Sequence, residues 1–363
     1  MKRPEDKPHS PRALAALKRP RFTRALAVPL AALAALALLG VLAFHVGYVP
    51  ALQIMHEVRR PARRGCALPH GAASHAGALR IGILLQVDDA WWAVPGGIAR
   101  RAYDNRKSYA DLYGYDVILE TKAVESGRPA AWSKLLGLRR HLQHYDWIAI
   151  IDADALVMNP SIRLERLIPA DAAARGVNLI LTDDWSGPNS GIMLLRNDAW
   201  TYWFLDELYA QELFVNRRPP PGLSAKPQWP FEYEQRALHY LLDTAMWRAR
   251  GNPAYEGDVA VVRSRVYTLP QCAMNSYFLH PFMRRNFKGE LPLRDFFETA
   301  QYIDGDFVIH FAGYKGARKQ NLFSTFADMA EESAQRLSEE QGGRRGLALD
   351  GDGGGGGHGD DDG

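Results

Sequence analysis

Two aspartates, Asp152 and Asp154, stand at the end of the apolar run Trp147–Ile151, with only Ala153 between them. In extended backbone, residues two apart project to the same side, so both carboxylates face one point, about 6 to 7 Å apart at Cα. Two hard oxygen ligands at the carboxyl end of a strand suit a divalent cation that also holds phosphates. A solvated turn is the plainer reading of any D-x-D pair. A calcium loop of the EF-hand type fails on spacing: counting from Asp152, Val157 stands where that loop needs Gly and Arg163 where it needs Glu. The apolar run before the pair and Met158-Asn159-Pro160 after it fit carboxylates held at a sheet edge. A second candidate, His310, follows Phe307-Val308-Ile309 and reads either as a core histidine or as a metal ligand. No G-x-G-x-x-G opens a helix after a strand, and neither G-x-x-x-x-G-K-[ST] nor H-E-x-x-H occurs, which argues against dinucleotide, P-loop and zinc-protease chemistry.

The elements that must position these residues alternate. Residues 81–87 form a strand ending at Asp88 and Asp89; 98–113 a helix closed by Gly114; 116–120 a second strand; 131–145 a helix with Leu135, Leu138 and Leu142 on one stripe. The run ending at Asp152 is the third strand. Residues 177–184 and 190–197 are further strands, 198–214 a helix, 217–230 a Pro-rich loop and 232–247 a helix. Strands over 259–270 and 306–316 and an amphipathic helix over 319–337 complete the chain. This order predicts parallel β-α-β units, whose ligands bind at the carboxyl ends of the strands.

The flanks point to a membrane. Residues 25–48 carry no Lys, Arg, Asp or Glu and are long enough to cross a hydrocarbon core of about 30 Å. Cations cluster before this segment, from Lys2 to Arg24, and return only at Arg59, which sets residues 1–24 in the cytosol and the remainder across the membrane. A signal anchor is favoured, with an organellar transit peptide as the competing reading. The net charge of +3 therefore reports on topology rather than on nucleic acid. Residues 49–78 read as a stem, and 351–363 as a disordered tail. Cys66 and Cys272 are expected to be unpaired thiols.

Taken in order, Trp132-Ser133-Lys134, the D-A-D at 152–154, N-S-G at 189–191, Glu234-Gln235 before RALHYLL, and H-F-A-G-Y-K at 310–315 resemble glycosyltransferase family 34. That family holds Golgi α-galactosyl- and α-mannosyltransferases of fungi and xyloglucan xylosyltransferases of plants. The resemblance runs over 79–330; the D-A-D region and the upstream lysine also look like those of glycogenin. It implies an α/β fold of the GT-A type with a mixed, mostly parallel central sheet, behind one transmembrane helix, with 331–363 holding the end of a terminal helix and the tail. It further implies a retaining, Mn²⁺-dependent hexosyltransferase of the Golgi membrane, type II, with a lumenal catalytic domain. Its partners would be a UDP- or GDP-sugar, a glycan or glycoprotein acceptor and, as an oligomer, itself or other transferases.

By the same resemblance Asp152, Asp154 and His310 are the metal ligands, so that Asp154 and His310 must meet at one ion. Gln86, Asp88, Lys134, Asp154, Asn189, Ser190 and Gly191 are donor-binding residues, and Lys315 contacts the departing diphosphate. Glu234 and Gln235 face the sugar, and Asp184 is an acceptor-side carboxylate with Asp183 its structural neighbour, the reverse assignment staying open. The D-D-Q of plant members stands here as Tyr233-Glu234-Gln235, closer to the fungal pattern, which argues against a xyloglucan substrate. Two other classes stay open: an inactive subunit of a transferase complex, and a nucleotidyltransferase or sugar-nucleotide hydrolase.

Overall fold

The apolar run at 147–151 is buried along its whole length because it lies inside a sheet covered on both faces. In the computed structural model, residues 66, 68–69, 79–121, 127–184, 186–215, 233–242, 259–278 and 300–350 are described. The main sheet has the order β2-β1-β3-β6-β5-β7, with β1 at Ile81–Gln86, β2 at Asp116–Glu120, β3 at Trp147–Ile151, β5 at Leu179–Asp184, β6 at Gly187–Arg196 and β7 at Val266–Leu269. The strands run parallel except β6, which is antiparallel to its neighbours β3 and β5. This is an α/β fold with a mixed, mostly parallel sheet.

Helices α1 (Asp89–Trp92) and α2 (Ile98–Tyr113) follow β1, α3 (Ser133–His141) precedes β3, and α4 (Ala199–Tyr209) and α5 (Glu234–Leu242) follow β6. Alternation along β3 sends Ile148 and Ile150 to a core with Leu135 and Leu138 of α3 and Phe204 of α4. Trp147, Ala149 and Ile151 face the other core, with Tyr109 and Ala110 of α2. Gly114, at φ 74°, closes α2 in the left-handed conformation that a glycine C-cap adopts without strain.

A second, three-stranded sheet has the order β4-β9-β8, from Ala155–Val157, Val308–His310 and Ser276–Tyr277. Its antiparallel register sets Ala155 opposite His310, so the residue after Asp154 pairs with one 155 positions later in the chain.

Several expectations are corrected. Residues 259–264 form a helix, α6 (Val259–Ser264), rather than the start of a strand. β5, the partner of β7, begins at Leu179 opposite Val266, so among the described residues the preceding valines have no neighbouring strand to satisfy their backbone. The strand expected over 306–316 is only β9, since its partner β4 is equally short and Gly313, at φ 79°, turns the chain. The terminal helix, α8, runs over Gly316–Asp350 rather than 319–337. Helix α4 ends at Tyr209, before a 3₁₀ turn at Glu212–Phe214. The expected span at 25–48, the loop at 217–230 and the tail at 351–363 lie outside the described residues. Among those described, no helix is long and apolar enough to cross a membrane.

Cys66 and Cys272 are not free thiols: they form a disulfide, with their Cα atoms 5.8 Å apart. Leu68 packs on the core that contains α2. The stem expected over 49–78 is therefore tied to the domain at these residues, and Cys272 lies in the short helix α7 (Gln271–Met274). Cross-linking residues 206 positions apart restricts the unfolded chain strongly. Reduction, or Cys272→Ala, should lower the stability of the full chain by about 2–5 kcal/mol. Denaturant midpoints of the oxidised protein with and without reductant measure this, and equal midpoints would refute it.

Candidate active site

Arg106 belongs to the buried stripe of α2, with Ala99, Ala102, Tyr109 and Ala110. A wholly buried guanidinium needs partners, and it finds them on the turn that carries the aspartates. It donates to the carbonyls of Ile151 (3.1 Å), Asp152 (2.7 Å) and Ala155 (3.2 Å), and to Ala102 one turn back (2.6 Å). Burial lowers its pKa to about 10, against the opposing pull of Asp152 and Asp154. Asn105 completes the clamp, donating to the Val157 carbonyl at 2.9 Å and accepting from its amide at 2.8 Å.

Residues 152–154 are consequently not extended. The Ala155 amide donates to the Asp152 carbonyl at 2.9 Å, and 153–154 form a turn. The carboxylates converge by that turn instead of by strand alternation. Asp152 Oδ1 accepts from Lys134 Nζ at 2.8 Å. Asp154 Oδ1 lies 3.2 Å from His310 Nε2, while its Oδ2 is 2.5 Å from Lys319 Nζ. Burial pushes the Asp152 carboxyl up, with Lys134 pulling against it. For Asp154 burial is outweighed, and His310 and Lys319 hold it far below the usual carboxylate range.

His310 is oriented from behind. Asn275 Nδ2 donates to Thr182 Oγ1 at 3.1 Å, which turns Asn275 Oδ1 toward His310 Nδ1 at 2.9 Å. With Nδ1 carrying the proton for that bond, Nε2 is left to face Asp154, where it donates to the carboxylate when protonated and offers a lone pair to a cation when it is not. Gly191 allows the approach: a Cβ there would lie 2.5 Å from His310 Cε1 and 3.2 Å from Asp152 Oδ2. Asp152, Asp154 and His310 each offer one ligand atom, all within 4.8 Å of one another. Two carboxylate oxygens and an imidazole nitrogen, with ammonium groups already drawn to the carboxylates, fit a divalent cation.

The other face of the site is built on Lys134. Its buried ammonium bridges Asp152 and Glu234 Oε1, each at 2.8 Å, and donates to the Ser190 carbonyl at 3.2 Å. Burial opposes its charge, yet Asp152 and Glu234 raise its pKa above that of a free lysine. Ser190 Oγ donates to Glu234 Oε1 at 2.8 Å, and Gln235 Oε1 accepts from the Ser190 amide at 3.3 Å. Glu234 Oε2 is buried without a hydrogen-bond partner among the described residues.

The structure thus gathers Asp152, Asp154, His310, Lys134, Glu234, Gln235, Asn189, Ser190 and Gly191 at one end of the sheet. Asp184 lies at its margin with both oxygens occupied: Ser186 donates to Oδ1 from N and Oγ, and Asn189 Nδ2 and Tyr277 OH donate to Oδ2 at 2.9 and 2.7 Å. It organises the hairpin turn, and Asp183 is the exposed carboxylate of the pair. Asp88 is engaged as the N-cap of α1, accepting from the Trp91 amide. Gln86 ends β1, next to β3, and donates to the Glu120 carbonyl at 3.1 Å. Lys315 is exposed; the amine on Asp154 belongs to Lys319, one helical turn later. Arg106, Asn105, Asn275, Tyr277 and Lys319 went unnoticed in the sequence. Only Arg106 left a signal there, as a charge at the spacing of Ala99, Ala102, Tyr109 and Ala110 on a helical face.

A family model described as the galactosyl transferase GMA12/MNN10 family matches residues 93–172 and 167–321. The chain is 26% identical over 281 residues to an alpha-1,2-galactosyltransferase of Schizosaccharomyces pombe, covering 67% of this chain and 62% of that protein. It is 24% identical over 263 residues to a probable alpha-1,6-mannosyltransferase of Saccharomyces cerevisiae, MNN10, covering 64% and 58%. A probable glycosyltransferase 5 of Oryza sativa is 27% identical over 245 residues, covering 60% and 47%. The chain spans about half to six-tenths of the length of these relatives.

Two substitutions test the geometry. Arg106→Met removes the buried donor that the carbonyls of Ile151, Asp152 and Ala155 share and should destabilise the fold by about 3 kcal/mol, read from chemical denaturation. Gly191→Ala should weaken the binding of a divalent cation, probed with Mn²⁺, by about tenfold or more, because it displaces His310. Titration calorimetry reads that loss, and unchanged affinity would show that the close approach is not needed.

Proposed function

This chain belongs to the galactosyl transferase GMA12/MNN10 family, and from that premise we propose that it transfers a hexose, galactose or mannose, from a UDP- or GDP-sugar to a glycan or glycoprotein acceptor. The observation that carries this reading is the convergence of Asp152, Asp154 and His310 at one end of the sheet, beside the buried Lys134–Glu234 pair. That arrangement supports a GT-A domain in which Asp152, Asp154 and His310 hold Mn²⁺. A bound Mn²⁺ would offset the charge that grows on the diphosphate as the glycosidic bond breaks.

The chain's own residues supply the rest. Lys134 fixes Asp152 and Glu234 together, and Ser190 ties both Glu234 and Gln235 to the turn that Gly191 opens. Glu234 is only 3% exposed, with Oε1 held by Lys134 and Ser190. This favours a negative charge that steadies an oxocarbenium-like sugar over a nucleophile that must reach it, and so retention by a front-face path. Gln235, more open than Glu234, is the member of the pair suited to touch the sugar. Asp183, exposed beside the turn, suits the acceptor side better than the fully engaged Asp184.

The disulfide supports an oxidising compartment, in keeping with a Golgi lumenal domain behind a span at 25–48. The test is transfer from UDP-galactose and GDP-mannose by the full chain with and without Mn²⁺. Asp152→Asn and Asp154→Asn should each lower transfer by about 10²-fold or more. A chain that neither transfers nor hydrolyses any such donor, and binds UDP and GDP equally with and without metal, would sink the proposal.

A further inference from the structure

Lys319 lies in the first turn of α8, and its ammonium is 2.5 Å from Asp154 Oδ2 with only 14% of the side chain exposed. Its backbone is fixed independently of that contact. Phe323 and Phe326 of α8 are buried against Phe311, with ring centroids 5.7 and 5.6 Å apart, and Asp328 pairs with Arg101 of α2. Phe311 follows His310 directly, and its amide donates to the Asp154 carbonyl at 2.9 Å. The helix that carries Lys319 is thus anchored to the strand that carries a metal ligand. Only the long lysine stem is left to move.

Asp154 Oδ1 faces His310 Nε2, whereas Oδ2 faces Lys319, so the amine sits on the same carboxylate that a cation would share with Asp152 and His310. A divalent ion drawn to Asp154 weakens that carboxylate's hold on an ammonium beside it. A diphosphate arriving with the ion supplies oxygen acceptors for which a compact, flexible ammonium is suited.

We propose that Lys319 is a diphosphate-binding residue held in reserve: its ammonium, on Asp154 here, turns to the donor's diphosphate oxygens when a cation binds that carboxylate. This rests on the hexosyltransferase reading and deepens it, since Lys319 adds a second cation to the exposed Lys315 at the start of the same helix.

The reading has a signature of two opposite signs. In the full chain, Lys319→Met removes a competitor for Asp154, so Mn²⁺ alone should bind at least about threefold more tightly by titration calorimetry. The same variant, saturated with Mn²⁺, should bind UDP or GDP, whichever the unaltered chain binds, about tenfold more weakly, as for the loss of one hydrogen bond to a charged group. Lys319→Arg keeps the charge and should restore most of the nucleotide affinity. A purely structural lysine would weaken both affinities together and lower the melting temperature, and that result overturns the proposal. Tighter Mn²⁺ with unchanged nucleotide affinity also overturns it, since Lys319 would then only block the ion. An unaltered chain that binds neither Mn²⁺ nor nucleotide overturns the hexosyltransferase reading itself, and this inference with it.

Discussion

A guanidinium buried under a turn sets the geometry on which the rest of the site depends. Arg106 lies wholly inside the core formed by α2 and the sheet, where an unpartnered charge is very costly. Its cheapest arrangement is to donate to the carbonyls of Ile151, Asp152 and Ala155, which bends the chain directly after β3. That bend draws Asp154 toward Asp152 and starts β4 in the direction that lets it pair with β9. His310 then arrives opposite Ala155. One side chain on a helix thus links the first β-α unit, the aspartates and a strand far along the chain.

The charges that meet there are balanced in pairs rather than dispersed. Asp152 and Glu234 share Lys134, while Asp154 is shared by His310 and Lys319. Taking such groups out of water is costly, and apolar residues of similar size would pack the same space at least as stably. Among Asp152, Asp154, Glu234, Lys134 and Lys319 the carboxylates outnumber the ammonium groups three to two. That surplus of carboxylate, with an imidazole beside it, is suited to a divalent cation. Oε2 of Glu234, buried in the same cluster, has no hydrogen-bond partner among the described residues.

Much of the architecture was legible in the residues because it is local. Helix α2 has the limits that its apolar spacing and Gly114 predict, and β2 and β3 coincide with their apolar runs. The failures share a cause. The valines at 259–264 carry strand preference but have no strand to pair with among the described residues, and β9 is as short as its partner allows. The pairing of Cys66 with Cys272 depends on a close approach that only the folded domain creates.

The sequence by itself determined the order of the β-α units, the strand that delivers Asp152, and the residue types able to hold a cation and a diphosphate. These follow from periodicity, caps and the chemistry of side chains, which act over a few residues. The tertiary structure alone decided which amine lies on Asp154, what orients His310, and which donors engage Asp184. Those outcomes come from sheet register and from the burial of Arg106, Asn275 and Tyr277. Burial assigns hydrogen-bond partners by proximity in space, and separation along the chain carries no record of it.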